Sequence, residues 1–168
     1  GVNRGNNAAE NTLYSGTIGG AMEAALQGLP AIALSQYYGP DNAKLSDPFE
    51  ASVRHGADTV RSILAAGLPG NRDYRLFYNV NFPPCPASAV RGTRATTQGF
   101  RRDSHHSVEP HVSPSGRRFL WIRGGPQQTP TAQGSDVAAN LAGYISVTPM
   151  RADLTAHDMV SPLKDAFS

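Results

Sequence analysis

The stretch Pro30 to Ser35, "PAIALS", limits what this chain can fold into more than any other. It is a continuous apolar run of strand length, without the alternation of a half-solvated strand, so it requires cover on both faces, as in a parallel sheet. The segment ahead of it can supply one cover. From Thr17 to Gln27 the apolar residues Ile18, Ala21, Met22, Ala25 and Leu26 recur at helical spacing, and Gly28 and Pro30 stop the pattern. Downstream, Asp47 reads as an N-cap, with Pro48 at the first helical position and Glu50 completing a capping box. The helix that follows carries Phe49, Val53, Ala57, Val60 and Leu64 on one face and ends near Gly67, with Pro69 beyond. "YRLFYNVNFPP" then predicts a strand from Arg75 to Phe82, halted by two prolines. Helices alternating with buried strands imply an α/β layer fold with a mostly parallel sheet.

The second half has another texture. From Pro83 to Gln133 the chain is rich in Pro, Gly, Ser, Thr and Arg, with short strands predicted at Arg91 to Gln98 and Arg118 to Arg123. This is a hairpin-rich excursion, of the kind that needs another surface to bury against. "AGYISVTP" (Ala142 to Pro149) predicts a returning strand, and Leu154 to Phe167 a weak terminal helix. The expected organisation is one α/β domain over 1–168: a core portion at 1–83, the excursion at 84–133, and the returning strand with a C-terminal arm at 134–168. The opening "GVNRGNNAAEN" has no initiator Met and reads as the middle of a loop whose flanking strand is expected upstream.

Composition narrows the function classes. A net charge of +2, with basic residues scattered apart from Arg101-Arg102 and Arg117-Arg118, gives little support for a nucleic-acid polymer as partner. The single cysteine, Cys85, excludes an internal disulfide framework, has no activating neighbour and fits a reducing, cytoplasmic setting. No apolar run approaches the roughly 20 residues that a membrane-spanning helix needs.

Two groups of residues could carry chemistry. Asn3, Asn6, Asn7, Glu10 and Asn11 form an oxygen-rich set of the kind hard cations accept, and Ser15, Gly16 and Thr17 open a helix whose N-terminus could hold an anion. The alternative is that the asparagines shape a turn and that Ser15 or Thr17 is a cap. There is no P-loop ending and no GxGxxG. His105, His106 and His111 could bind a metal or act as acids, but a polar loop with chance histidines is the preferred account. His55 and His157 lie on predicted helices as surface or packing residues, and Asp136, beside Ser135, reads as a helix cap.

Taken together, "GVNRGNN" (Gly1 to Asn7), "YSGTIGGAMEA" (Tyr14 to Ala24), "GLPAIALS" (Gly28 to Ser35), "NVNFP" (Asn79 to Pro83), "GSDVAA" (Gly134 to Ala139) and "GYISVTPMRADLT" (Gly143 to Thr155) resemble the SurE survival proteins, metal-dependent 5′/3′-nucleotidases. The resemblance implies a Rossmann-like, three-layer α/β/α fold, with a hairpin and a C-terminal arm exchanged between subunits of a homodimer or homotetramer. It implies a Mg or Mn ion held by two adjacent aspartates, a serine and the asparagine of the S-G-x-N motif. Only the last is present, as Asn3; the others, with the catalytic residues, are expected upstream of Gly1. Asn7, Ser15, Gly16 and Thr17 are then the expected phosphate ligands for a nucleoside monophosphate. A polyphosphate phosphatase or a non-enzymatic anion-binding or assembly module are the alternatives.

Overall fold

A computed structural model describes residues 1–67, 74–102 and 107–167. Its main sheet has the strand order β1-β2-β3-β7-β4, built from β1 (Asn3–Arg4), β2 (Ile32–Gln36), β3 (Phe77–Phe82), β4 (Thr93–Ala95) and β7 (Ile145–Met150). β1, β2 and β3 run parallel; β7 is antiparallel to β3, and β4 is parallel to β7. β5 (Ser107–Val112) and β6 (Arg118–Arg123) form a separate antiparallel hairpin. The helices are α1 (Gly16–Leu26), α2 (Glu50–Ala65), α3 (Asp136–Leu141) and α4 (His157–Asp165), and a 3-10 segment, Ala9–Tyr14, precedes α1.

Strand alternation divides the sheet into two faces. Ala31, Ala33 and Phe77 pack with Ile18, Ala21 and Ala25 of α1, whereas Ile32, Leu34, Val80, Phe82 and Ile145 pack with Ala51 and Ile63 of α2. A strand between two helical layers has no solvated side, and this is why "PAIALS" carries no alternation. The α1 face changes character along the strands. It is apolar at Ala31, Ala33 and Phe77 but polar and fully buried at Ser35, Asn79 and Asn81, toward the carboxyl ends of β2 and β3.

α1, β2, β3 and β6 fall within two residues of the predicted spans, and β7 begins three residues later than expected. Several expectations need correction. α2 begins at Glu50 with Phe49 as its N-cap, because Asp47 forms a turn ahead of it: its Oδ1 accepts the Phe49 N–H at 2.9 Å. Glu50 closes no capping box; its Oε1 accepts the Ala87 N–H at 2.8 Å. The buried face of α2 is Ser52, Gly56, Thr59 and Ile63, with Val53 and Leu64 exposed. Small residues let the helix approach the sheet, and the hydroxyls of Ser52 and Thr59 bond to the carbonyls of Phe49 and His55, so their burial leaves no orphan. Finally, the segment read as a polar loop contains strand β5, in which His111 stacks on Phe119 with ring centroids 5.7 Å apart. Pro69, His105 and His106 lie outside the described residues.

The strand expected from Arg91 to Gln98 is shorter, Thr93–Ala95, with a bridge from Thr97 to Ser135. Through β4 the excursion contributes directly to the main sheet.

Candidate functional site

Parallel strands direct their last residues toward the crevice where α/β folds bind ligands. β1 ends there. Gly5, at φ +104°, turns the chain off the strand, and its N–H donates to Gln36 O at 3.1 Å. Asn3, the residue paired with Ser35 in the sheet, donates its Nδ2 to Gly5 O at 3.0 Å. That bond orients the amide and leaves Oδ1 without a hydrogen-bond donor among the described residues.

The loop from Gly5 to Glu10 crosses the polar part of the sheet and is bonded to it from below. The Asn7 N–H donates to Asn81 Oδ1 at 2.7 Å, Asn79 Nδ2 donates to Asn7 O at 2.7 Å, and Asn81 Nδ2 donates to Asn79 Oδ1 at 3.1 Å. Asn7 gives its own Nδ2 to Ser35 Oγ at 2.7 Å. Asn140 of α3 extends the network by donating to Asn81 O at 2.8 Å. Asn7 is buried, so its side chain supports the loop from beneath, with one amide hydrogen already engaged.

The loop then enters α1 through Ser15, whose Oγ accepts the Ile18 N–H at 3.2 Å as the helix cap. Gly16 is exposed, and Ser15 and Thr17 are partly so, at the end of the helix where first-turn N–H groups lack intrahelical partners. Gly1 and Thr17 line one depression of about 410 Å³ with Ala31 to Leu34 of the sheet. Of the expected site residues only Thr17 lines this depression, which runs along α1 and the first half of β2; Asn3, Asn7, Ser15 and Gly16 do not line it.

A second set of residues holds the loop from its far side. Arg101 is 1% exposed, and its guanidinium donates to Ala8 O at 3.3 Å, Asn6 Oδ1 at 3.2 Å, Gln127 O at 3.3 Å and Glu10 Oε1 at 3.4 Å. Asp136 is fully buried, and its carboxylate accepts N–H bonds from Ala9, Gly99 and Val137. Burial pushes the Asp136 carboxyl up from its ordinary pKa, with the three N–H donors and Arg101 opposing that shift. Burial likewise raises the Tyr37 hydroxyl, which faces Arg101 and Gln127. Asp136 is not the cap of α3, since Ser135 Oγ fills that role by accepting the Ala138 N–H at 3.4 Å. Sequence reasoning saw Arg101 only as half of the basic pair Arg101-Arg102. The one available signal was its position beside "QGF", close to a glycine whose added Cβ would lie 2.9 Å from Asp136 Oδ1.

The remaining candidates lie apart. His55 contacts Ala87 O, His111 lies 3.5 Å from Glu109, and His157 pairs with Asp153. Burial raises the Cys85 thiol, which disfavours a thiolate. Among the described residues no group of three or more His, Cys, Asp or Glu side chains converges as a metal cage.

Fold and site together define an α/β protein with a buried polar network at the carboxyl ends of its parallel strands, beside a serine-capped helix. The chain belongs to the SurE family: the family described as Survival protein SurE matches residues 1–105. It is 68% identical over 164 residues to the 5′-nucleotidase SurE of Cereibacter sphaeroides (strain ATCC 17025 / ATH 2.4.3), covering 98% of this chain and 63% of that one. It is 71% identical over 163 residues to the 5′-nucleotidase SurE of Roseobacter denitrificans, covering 97% and 62%. Among solved structures, the SurE protein from Aquifex aeolicus superposes with a TM-score of 0.74 at 32% identity, covering all of this chain and 64% of that one. The chain thus spans about 63% of the length of the curated relatives it matches.

Proposed function

We propose that this chain carries the phosphate-binding part of a metal-dependent phosphomonoesterase that hydrolyses nucleoside 5′- or 3′-monophosphates to nucleoside and phosphate. The observation that carries this reading is the oriented Oδ1 of Asn3 on β1 together with the Ser15-capped N-terminus of α1, in a chain 68% identical to a protein named 5′-nucleotidase SurE.

The chemistry of Asn3 fits a hard divalent cation such as Mg or Mn, since Oδ1 is a neutral oxygen whose orientation is fixed by the bond from Nδ2 to Gly5 O. When bound, such a cation supplies Lewis-acid stabilisation of charge on the phosphoryl oxygens. Ser15, Gly16 and Thr17 hold the phosphate at a helix end where N–H groups and the helix dipole favour an anion. Asn7 fixes the loop between the two and reaches the phosphate with its remaining amide hydrogen. In the reaction a water oxygen bonds to phosphorus, the bond from phosphorus to the nucleoside oxygen breaks, and the leaving oxygen takes a proton. The reading assigns no catalytic residue to Gly1–Ser168.

The same reading includes a homodimer or homotetramer, supported by a hairpin and a terminal helix that bury almost nothing of their own. It keeps 1–168 as one unit and sets the protein in the cytoplasm, which the lone cysteine supports. No helix among the described residues is long and apolar enough to cross a membrane.

Phosphate release from 5′-AMP and 3′-AMP by the whole protein tests the proposal. Hydrolysis with Mn²⁺ or Mg²⁺, lost on chelation and recovered on metal addition, is expected, with Asn3→Ala weakening the apparent metal affinity by about 10- to 100-fold. Intact nucleotides under every metal condition, or full turnover in chelator, would sink it.

A further inference from the structure

Resting on that reading of the site, we propose that Arg101 is the positioning residue of the loop between the metal ligand Asn3 and the phosphate seat at Ser15. It acts on the reaction by fixing the path of residues 5–10, without touching substrate.

The argument starts from the state of the side chain. A guanidinium stays charged and carries five N–H donors in a fixed fork, and its withdrawal from water is unfavourable unless those donors find acceptors. Arg101 is the largest fully buried side chain among the described residues, and its partners are not arbitrary. Nη1 donates to Ala8 O and Glu10 Oε1, Nη2 to Asn6 Oδ1 and Tyr37 Oη, and Nε to Gln127 O. Its main-chain N–H adds a bond to Glu10 Oε2 at 3.2 Å. Three of these partners, Asn6, Ala8 and Glu10, lie on the loop, and the others tie it to the end of β2 and to the return from the hairpin.

The loop needs such a hold. Ala9 adopts φ +53°, the left-handed region that an alanine occupies only when its surroundings impose it. Its N–H is taken by Asp136 Oδ2 at 2.9 Å and its carbonyl by Gln98 Nε2 at 3.1 Å, so the residue is pinned on one side by Asp136 and on the other by the Arg101 fork at Ala8. Arg101 makes no hydrogen bond to Ser15, Gly16 or Thr17 among the described residues. Its influence on a bound phosphate therefore passes through the loop. A lysine keeps the charge opposite Glu10 but, as a point donor, cannot span Ala8, Asn6 and Gln127 together.

The test uses the whole protein with Arg101→Met, Arg101→Lys and Glu10→Gln, each read by two methods. Amide hydrogen exchange, without metal or nucleotide, is expected to accelerate over residues 5–11 in Arg101→Met while β2 and β3 keep their protection. Turnover of 5′-AMP with Mn²⁺ is expected to fall about 100-fold in kcat with a much smaller change in KM, since a displaced ligand set costs rate at the chemical step. Arg101→Lys is expected to recover part of both, and Glu10→Gln, the milder variant should Arg101→Met not fold, to move both in the same direction. Unchanged exchange over residues 5–11 overturns the proposal, and so does a folded Arg101→Met protein with wild-type kcat and only a lowered melting temperature. A wild-type protein that hydrolyses no mononucleotide defeats the functional reading alone, and the exchange experiment still decides whether Arg101 sets the loop.

Discussion

Asn81 is bonded in two directions at once: its Oδ1 accepts the Asn7 N–H, and its Nδ2 donates to Asn79 Oδ1, all three residues being buried. Asn81→Ala leaves a donor and an acceptor unpaired inside the protein, and a buried unsatisfied group costs roughly 1 to 3 kcal/mol. We expect urea unfolding to report a loss on the order of 3 kcal/mol, with the slope of the transition unchanged; a loss within error of zero rejects the view that this network fixes the loop. At this scale the sequence was partly legible. Ser15 could be identified as a cap because capping is a local property of one side chain and one helical turn. Arg101 could not, because a buried arginine and an exposed one look the same in sequence, and its partners lie about 26 to 95 positions away. Asp136 was misread for a related reason: its place next to a helix start suggested a local role, while its carboxylate serves Ala9 across 127 positions.

The elements were more legible than the faces they present. β2 and α1 follow from apolar pattern and stop signals, but α2 hides its packing side. The apolar spacing picks Val53 and Leu64, and the sheet instead takes Ser52, Gly56 and Thr59, whose small size permits contact with Phe82. β5 escaped notice because its sequence is half polar and Pro110 interrupts it, whereas the equally exposed β6 shows itself through the aromatic and branched run Phe119 to Ile122. α4 carries a prediction of its own. Ahead of it Asp153 accepts the Thr155 N–H at 2.9 Å and meets His157 Nε2 at 2.6 Å, and these two partners, the backbone N–H foremost, hold its carboxyl at about 2 against the ordinary 3.8. A carboxylate whose folded pKa is depressed stabilises the fold above the unfolded value and ceases to do so as pH falls toward the folded one. The turn from 153 to 157 is therefore expected to persist near about pH 4 and to open on approach to about 2, followed by carbon NMR of the Asp153 carboxyl; a midpoint at the ordinary value contradicts the geometry.

Across the whole molecule, the apolar surface is distributed unevenly. Val108, Val112, Phe119, Leu120, Trp121 and Ile122 are exposed on the hairpin, and α4 buries no residue while exposing Met159 and Leu163. A two-stranded hairpin is marginal by itself, so a second copy of the chain is the cover our proposal requires. Paired Leu120→Asp and Ile122→Asp substitutions in the whole protein are expected to reduce the molar mass measured by light scattering to that of one chain, with the circular dichroism of the α/β core retained. An undiminished assembly contradicts the role given to the hairpin. The fold class was readable because parallel strands and their helices leave local patterns, whereas the closure of the site depends on contacts between distant segments. Those contacts impose an order on biosynthesis. The loop at residues 5–10 emerges ahead of its braces, Arg101 and Asp136, which follow some 95 and 127 positions later. Such long-range closure is slow relative to local structure. A nascent chain can thus form α1 and β2 well before the loop acquires its final shape, and the site we propose is completed as one of the last events of folding.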